Sequence, residues 1–420
     1  MPGRRLPPLW VGLAALALLL GAGVAVLVIT GLTEDETDTA SPAPQVVEEG
    51  AEQEQEASEE LGFPAFATKN TTRVAGTDAA GVAAGVALAT FPSQGGVEGP
   101  PAVALVPDGD WASALAASPL VSDPISAAVL VSGDDGGVPD QTATALLALD
   151  PQGSSDTDDA QAFRIGDADA PGGLRVTNVE GGSPAEIAVA VDELREKLTG
   201  SEPDHIVLVS SDEPDYAMPA AAWAARSGDS VLFVQRDSVP TPTLDALERH
   251  KDTPVFLLGP PSAASEKVLR EVEKAAPSVE RIFGDDPGSS SIAFARFESG
   301  DFGWGITDPG HGLVIANESR PMDAAAASPL SASGKWGPLL VTDSADVVPA
   351  SMRGFLLDIK PGFVSDPTRA FYNHAWLIGD QKALGIGFQA QVDELLELTR
   401  IREGTGNFGD VSGQDRESQP

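Results

Sequence analysis

The sequence predicts an α/β fold of three tandem repeats with parallel sheets, preceded by one transmembrane helix. Three observations carry this prediction. First, arginine opens a similar string three times, in Arg73-Val-Ala-Gly-Thr-Asp78, Arg175-Val-Thr-Asn-Val-Glu180 and Arg281-Ile-Phe-Gly-Asp-Asp286, at a spacing of roughly one hundred residues, a domain's length. Second, small and apolar residues at helical spacing follow each string, as in Gly85-Val-Ala-Leu88, Ala185-Glu-Ile-Ala-Val189 and Ser291-Ile-Ala-Phe-Ala295. Third, further anchors recur behind them in constant order.

The first anchor is an Ala-rich helix, expected over Trp111 to Leu120, Tyr216 to Ala225 and Pro321 to Leu330. The second is an apolar run ending in Val-Pro, over Val129 to Pro139, Val231 to Pro240 and Leu339 to Pro349, which reads as a strand and its turn. The third is a short strand closed by glycine, Ala162 to Gly166, Val255 to Gly259 and Ala375 to Gly379. Apolar strands with little polar alternation, interleaved with helices, fit a parallel sheet buried on both faces. The repeats are set at 69–174, 175–280 and 281–401.

Trp10 to Thr30 carries no charge and at about twenty residues matches the hydrocarbon thickness of a bilayer. Arg4 and Arg5 precede it, and Glu34, Asp35, Glu36 and Asp38 follow. The positive-inside rule therefore leaves residues 1–9 in the cytoplasm and the repeats outside, in a single-pass protein of the cell membrane. A cleaved signal peptide is the competing reading, but its apolar core is usually shorter. Residues 31–68 are acidic and poor in large apolar residues, as expected of a disordered linker, and 402–420 read as a disordered tail.

Hydrophobic residues make up 42% of the chain and aromatics only 5%, which points to cores of Ala, Val and Leu. The absence of cysteine excludes disulfides, thiolate metal sites and a cysteine nucleophile. A formal charge of -37 disfavours nucleic acid, which needs clustered Lys and Arg. The same repulsion acts on anionic wall polymers unless divalent cations bridge them. Solubility on an exposed surface, or adaptation to salt, is the plainer account of the charge.

Taken together, Arg73-Val-Ala-Gly-Thr-Asp78, the helix Asp323-Ala-Ala-Ala-Ala-Ser-Pro-Leu330, Leu339-Leu-Val-Thr342, Val348-Pro349 and Val255-Phe-Leu-Leu-Gly259 resemble the cell wall-binding repeat 2 family, over about Arg73 to Ile401. The resemblance implies Toprim-like or Rossmann-like units around a pseudo-threefold axis and non-covalent attachment to anionic polymers of the bacterial wall. Two departures stand out. The family's Arg-Tyr after the opening string is replaced by Ala79-Ala80, Gly181-Gly182 and Pro287-Gly288. The family's Asp at the start of the Ala-rich helix is kept only as Asp323, with Ser113 and Met218 placed opposite it. Repeat three is thus the best-preserved candidate for binding.

The polymer-binding candidates are Arg73, Arg175, Arg281, Asp323, Trp111 and Tyr216. An arginine fork at each strand start suits a phosphate or carboxylate; the alternative is a structural pair with Asp78, Glu180 or Asp286. Trp111 and Tyr216, placed at matching helix starts, either stack on a sugar or pack between repeats. Gly385-Ile-Gly-Phe-Gln-Ala390 formally fits a dinucleotide fingerprint but lacks an acidic ribose partner. His205, His250, His311 and His374 have no zinc spacing, and Asp156, Asp158 and Asp159 lack the glutamate of a calcium hand. No Gly-x-Ser-x-Gly elbow or Ser-x-x-Lys spacing appears, so no enzyme activity, cofactor or metal is assigned.

The expected function is that of a membrane-anchored extracytoplasmic protein that binds cell-wall polymer through its repeats. The alternative is a membrane-tethered scaffold that binds another envelope protein, its polymer binding lost. A third reading, an envelope hydrolase or solute receptor, needs a cleft of convergent titratable groups.

Overall fold

The computed structural model describes residues 66–91, 99–133, 137–332 and 337–401. The apolar segment Trp10–Thr30, nearly all of the expected linker and the expected tail lie outside these residues. Among the described residues no helix is long and apolar enough to cross a membrane.

The fold is α/β, built on three parallel sheets of one strand order. Sheet one runs β4 (Ala128–Ser132), β3 (Val103–Pro107), β5 (Ala162–Ile165), β6 (Val176–Val179). Sheet two runs β8 (Ser230–Val234), β7 (Ile206–Ser210), β9 (Val255–Leu258), β10 (Val279–Ile282). Sheet three runs β14 (Leu339–Thr342), β13 (Gly312–Asn317), β16 (His374–Ile378), β2 (Thr71–Val74), with β1 (Phe66–Ala67) added antiparallel on the outside. Each sheet therefore takes its fourth strand from the next sequence copy. β6 and β10 open copies two and three, and β2 opens copy one yet completes the sheet of copy three. The exchange runs full circle.

Glycine and caps explain where the helices after these strands begin. A Cβ at Gly76, Gly181 or Gly284 would meet the next helix's backbone at 2.2, 2.7 and 2.6 Å, so only glycine allows this approach. Two residues on, Asp78, Ser183 and Asp286 cap α1 (Ala79–Thr90), α4 (Pro184–Thr199) and α9 (Pro287–Arg296) by accepting backbone N–H bonds from Gly81, Glu186 and Ser289. Such caps contribute about 1 kcal/mol each. The Val-Pro anchors also mark helix starts. Pro139, Pro240 and Pro349 stand at the N-caps of α3 (Asp140–Leu149), α7 (Thr241–Arg249) and α11 (Ala350–Asp358), where a missing N–H costs nothing.

The Ala-rich helices are α2 (Trp111–Ala116), with a 3-10 turn at Ser118–Val121, the broken pair α5 (Pro214–Ala217) and α6 (Pro219–Ser227), and α10 (Met322–Ala332). They pack on one another in one buried cluster that includes Ala114, Leu120, Ala221, Ala224, Ala325 and Leu330. Small side chains let three helix backbones share this space, while large ones would hold them apart. Strand alternation divides the remaining burial. In β13, Val314 and Ala316 face this common core, and Leu313 and Ile315 face a second core under α11 and α12 (Ile386–Leu395).

Copy three carries the parallel pair β15 (Gly362–Phe363) and β17 (Thr399–Arg400) and an extra hairpin, β11 (Glu298–Ser299) and β12 (Phe302–Gly303). Its Phe302 lies flat on Phe256 of sheet two, ring centroids 3.6 Å apart, and also meets His205 and Trp223. The hairpin thus fastens copy three to sheet two.

Candidate functional site

Ligand sites of parallel α/β sheets form outside the carboxyl ends of the strands. Here each such edge holds a closing glycine with positive φ: Gly166 at 53°, Gly259 at 112° and Gly379 at 97°. Their N–H groups donate to Val179, Ile282 and Val74, at 2.8, 2.9 and 2.8 Å. Ser113, Tyr216 and Asp323 face these glycines, since a Cβ added there would lie 3.9 Å from Ser113 Oγ, 3.4 Å from Tyr216 Cβ and 3.4 Å from Asp323 Oδ2.

This geometry corrects two alignments read from the sequence. Tyr216, and not Met218, occupies the place of Asp323; Trp111 and Tyr216 are therefore not equivalent. Likewise Asn178, not Arg175, is equivalent to Arg73 and Arg281, since Asn178 pairs with Arg164 as Arg73 pairs with Leu377 and Arg281 with Leu257. Arg175 lies three residues earlier and donates to the Asp159 and Gln152 carbonyls of a surface loop.

Nor do the arginines pair with the carboxylates of their own strings. Arg73 is 2% exposed and donates from Nε to Gln389 Oε1 at 3.0 Å and from Nη1 to the carbonyls of Gly379 and Asp380 at 2.9 and 3.1 Å. Burial lowers its pKa to about 10, against the pull of Asp380. Arg281 donates to the carbonyls of Gly259 and Ala264 at 3.2 and 2.7 Å, with Glu266 at 3.7 Å. Both guanidiniums stitch a strand to the turn beside it. Asp78 and Asp286 serve as helix caps instead.

At the third edge an arginine pairs with the carboxylate that faces the closing glycine. Arg320, at the start of α10, reaches Asp323 through Nε to Oδ2 at 2.8 Å and Nη2 to Oδ1 at 3.2 Å. The shorter contact is an ion contact without hydrogen-bond alignment, so the Nη2 bond is the directional one. Arg320 also donates to the Thr77 and Gly76 carbonyls at 3.2 and 3.3 Å and lies 3.6 Å from Asp380. Asp323 has no exposed surface, and burial pushes its carboxyl up to about 6 in spite of Arg320. Asp380 accepts from the Lys382 and Ala383 N–H groups. This cluster joins copy three to copy one, whereas Arg281 belongs to sheet two and stands apart from Asp323.

The other edges differ chemically. In sheet one, Asp110 and Ser113 bond to each other where sheet three has Arg320 and Asp323. In sheet two, Tyr216 lies among carboxylates: burial first, then Asp286, Glu213, Asp215 and Glu318, raises its phenol pKa. Burial likewise raises Glu318, helped by Asp215, Asp343 and Asp286. Anions are repelled there. Trp111 packs edge-on against Phe233 at 6.0 Å, between copies one and two.

Sequence reading missed Arg320, Asp380 and Gln389. The Arg320-Pro-Met-Asp323 spacing was the available signal, because residues three apart meet at a helix start. The Gly385 turn abuts Ala345 and Asp346, where a Cβ would lie 2.9 Å from Asp346 Oδ1, so protein already fills the space beside that helix start.

No protein-family model matches the chain, and no curated protein does. Among solved structures it is similar to Cwp8 from Clostridium difficile, with a TM-score of 0.60 and 16% identity over 78% of this chain and 52% of that one. It is also similar to Cwp6 from Clostridium difficile, with a TM-score of 0.60 and 19% identity over 74% of this chain and 46% of that one. The match thus spans about half the length of each protein. At these identities, what the chain shares with Cwp8 and Cwp6 is the fold.

Proposed function

We propose that the protein is a membrane-anchored envelope protein, held through Trp10–Thr30 with its N-terminus in the cytoplasm, whose extracytoplasmic head associates non-covalently with cell-wall polymer. The observation that supports this best is the fold shared with Cwp8 and Cwp6, which are cell wall proteins, in a chain whose repeated strings resemble cell wall-binding repeat 2. In this reading three Toprim-like units stand around a pseudo-threefold axis, and the head acts by binding, without catalysis. The contact falls at the third edge, where Arg320 is partly exposed, 20% of its side chain, beside buried Asp323. Arg73 and Arg320 there face Asp323, Asp380 and Asp78, so an anionic polymer meets carboxylates as well as cations and binds best where added cations screen them.

One observation favours a second reading, a membrane-tethered scaffold for another envelope protein. The N–H groups of Arg320 are engaged by Asp323, Gly76 and Thr77, which leaves little of it to grip a polymer. The deciding experiment is sedimentation of the purified full chain with cell walls, with and without their anionic accessory polymers, in calcium or chelator. Polymer-dependent sedimentation that Arg320→Ala and Asp323→Ala abolish supports the polymer reading. Failure to sediment under every condition sinks it and leaves the scaffold.

A further inference from the structure

Besides forming a hairpin with β1, β2 differs from its counterparts β6 and β10 in how the chain reaches the sheet it completes. β6 and β10 are joined to the sheets they complete by the loop after β5 and by α8 (Glu266–Val272) after β9. β2 reaches β16 only after the chain has passed through all three copies. Its side chains tie it to the last copy. Asn70 donates from its backbone N–H to the Asp393 carboxylate at 2.7 Å and from Nδ2 to the Asp393 backbone carbonyl at 3.0 Å, and Thr68 donates to the same carboxylate. Lys69 pairs with Glu397 at 2.9 Å, Thr71 accepts from Gln389 at 2.9 Å, Thr72 meets His374 at 2.9 Å, and Arg73 holds Gln389, Gly379 and Asp380. These partners of residues 68–73 all lie between His374 and Glu397. The hairpin leads into copy one through the short backbone step at Gly76.

We infer that this hairpin is an exchangeable clasp, and that the β16 edge which receives it also receives the same hairpin from a second copy of this chain. The rule that each copy's opening strand completes the preceding copy's sheet then continues between molecules, head to tail. Such an interface closes as a ring within one chain or extends between chains, by one set of contacts. The β16–α12 groove meets identical side chains in both cases, so the choice rests on concentration and on releasing the Gly76–Thr77 step from Arg320. Closure within a chain corresponds to an effective concentration of roughly millimolar; exchange therefore grows where heads are crowded to that level, as on a surface.

The chain has no cysteine, which makes the test direct. Thr72 and Trp376 are register partners, and neighbouring strands lie about 4.8 Å apart, within disulfide reach. Full-length Thr72→Cys and Trp376→Cys variants are mixed at micromolar and at about 1 mM, incubated, oxidised and run without reductant. The Thr72→Cys/Trp376→Cys double variant is oxidised in parallel. Exchange predicts a mixed disulfide dimer that rises with concentration, while the dilute double variant closes within one chain. A double variant that closes internally, beside single variants that never cross-link to each other at the higher concentration, overturns exchange. A double variant that fails to close overturns the clasp itself.

Discussion

Arg73 donates to the carbonyl of Asp380, 307 residues further along the chain, at 3.1 Å. One buried side chain thereby holds the opening of the first copy to the closing turn of the third, and its neighbours share the load unequally.

Arginine truncations should follow burial and partner count. Arg73→Ala strands the carbonyls of Gly379 and Asp380 and the amide of Gln389, and is expected to cost about 2 to 4 kcal/mol. Arg281→Ala, with two carbonyl partners and a longer ion contact, should cost less, and exposed Arg175→Ala about 1 kcal/mol or under. Urea unfolding of the three variants ranks them; an Arg175→Ala effect as large as that of Arg73→Ala would contradict the assignment of Asn178 as the equivalent position.

Asp323 should weaken the fold at neutral pH. Its carboxyl is raised from 3.8 to about 6 by burial, so the folded chain binds its proton more tightly than the unfolded chain, and stability falls as pH rises from 3.8 through 6. That displacement corresponds to about 3 kcal/mol. Asp323→Asn keeps the shape and removes the charge. It should be more stable than the native chain by about 1 to 2 kcal/mol at pH 7.5, after loss of the Arg320 contact, with the gap closing by pH 5. An Asn variant less stable at pH 7.5 would show that the ion pair outweighs burial.

Two histidines should respond to pH with opposite sign. The hydrogen bond to Asp229, then the charges of Asp229, Asp204 and Asp301, raise His205 above 6.5 in spite of burial. Its contribution is full below 6.5 and is lost as pH rises through the folded pKa. Burial lowers His374 below 6.5, against Asp393, so its contribution is full above 6.5 and declines as pH falls from there. The stability lost in His205→Gln should therefore shrink in alkali, and that lost in His374→Gln should shrink in acid. Parallel trends in the two variants would refute these environments.

Phe302→Ala should be among the costliest single changes, about 3 to 5 kcal/mol, because Phe302 is fully buried against Phe256, Trp223 and His205. Thermal unfolding tests this. A loss under 1 kcal/mol would mean that the hairpin does not fasten copy three to sheet two.

Much of this architecture was legible because its elements are local. The Val-Pro anchors mark three helix starts and the closing glycines mark three turns, each forced by backbone geometry within a few residues. Strand exchange was not legible, since nothing in Thr71–Val74 names β16 as its neighbour. The slips at Arg175 and Met218 have a related cause. Arginine catches the eye in a repeat, but the spatial constraint belongs to Gly76, Gly181 and Gly284, which bear no side chain. Counting from those glycines places Asn178 correctly. Arg320 escaped notice because, beyond the local Asp323, its partners Gly76 and Thr77 come from another copy and only the fold brings them near.

The full-circle exchange also sets a timetable for biosynthesis. Of the described elements β2 is among the first to be made, but its partner β16 and the α12 side chains that grip it are among the last. Sheets one and two can form as their strands emerge, while the third must wait for β16. A chain stalled or truncated before α12 leaves β2 without the strand and helix that hold it.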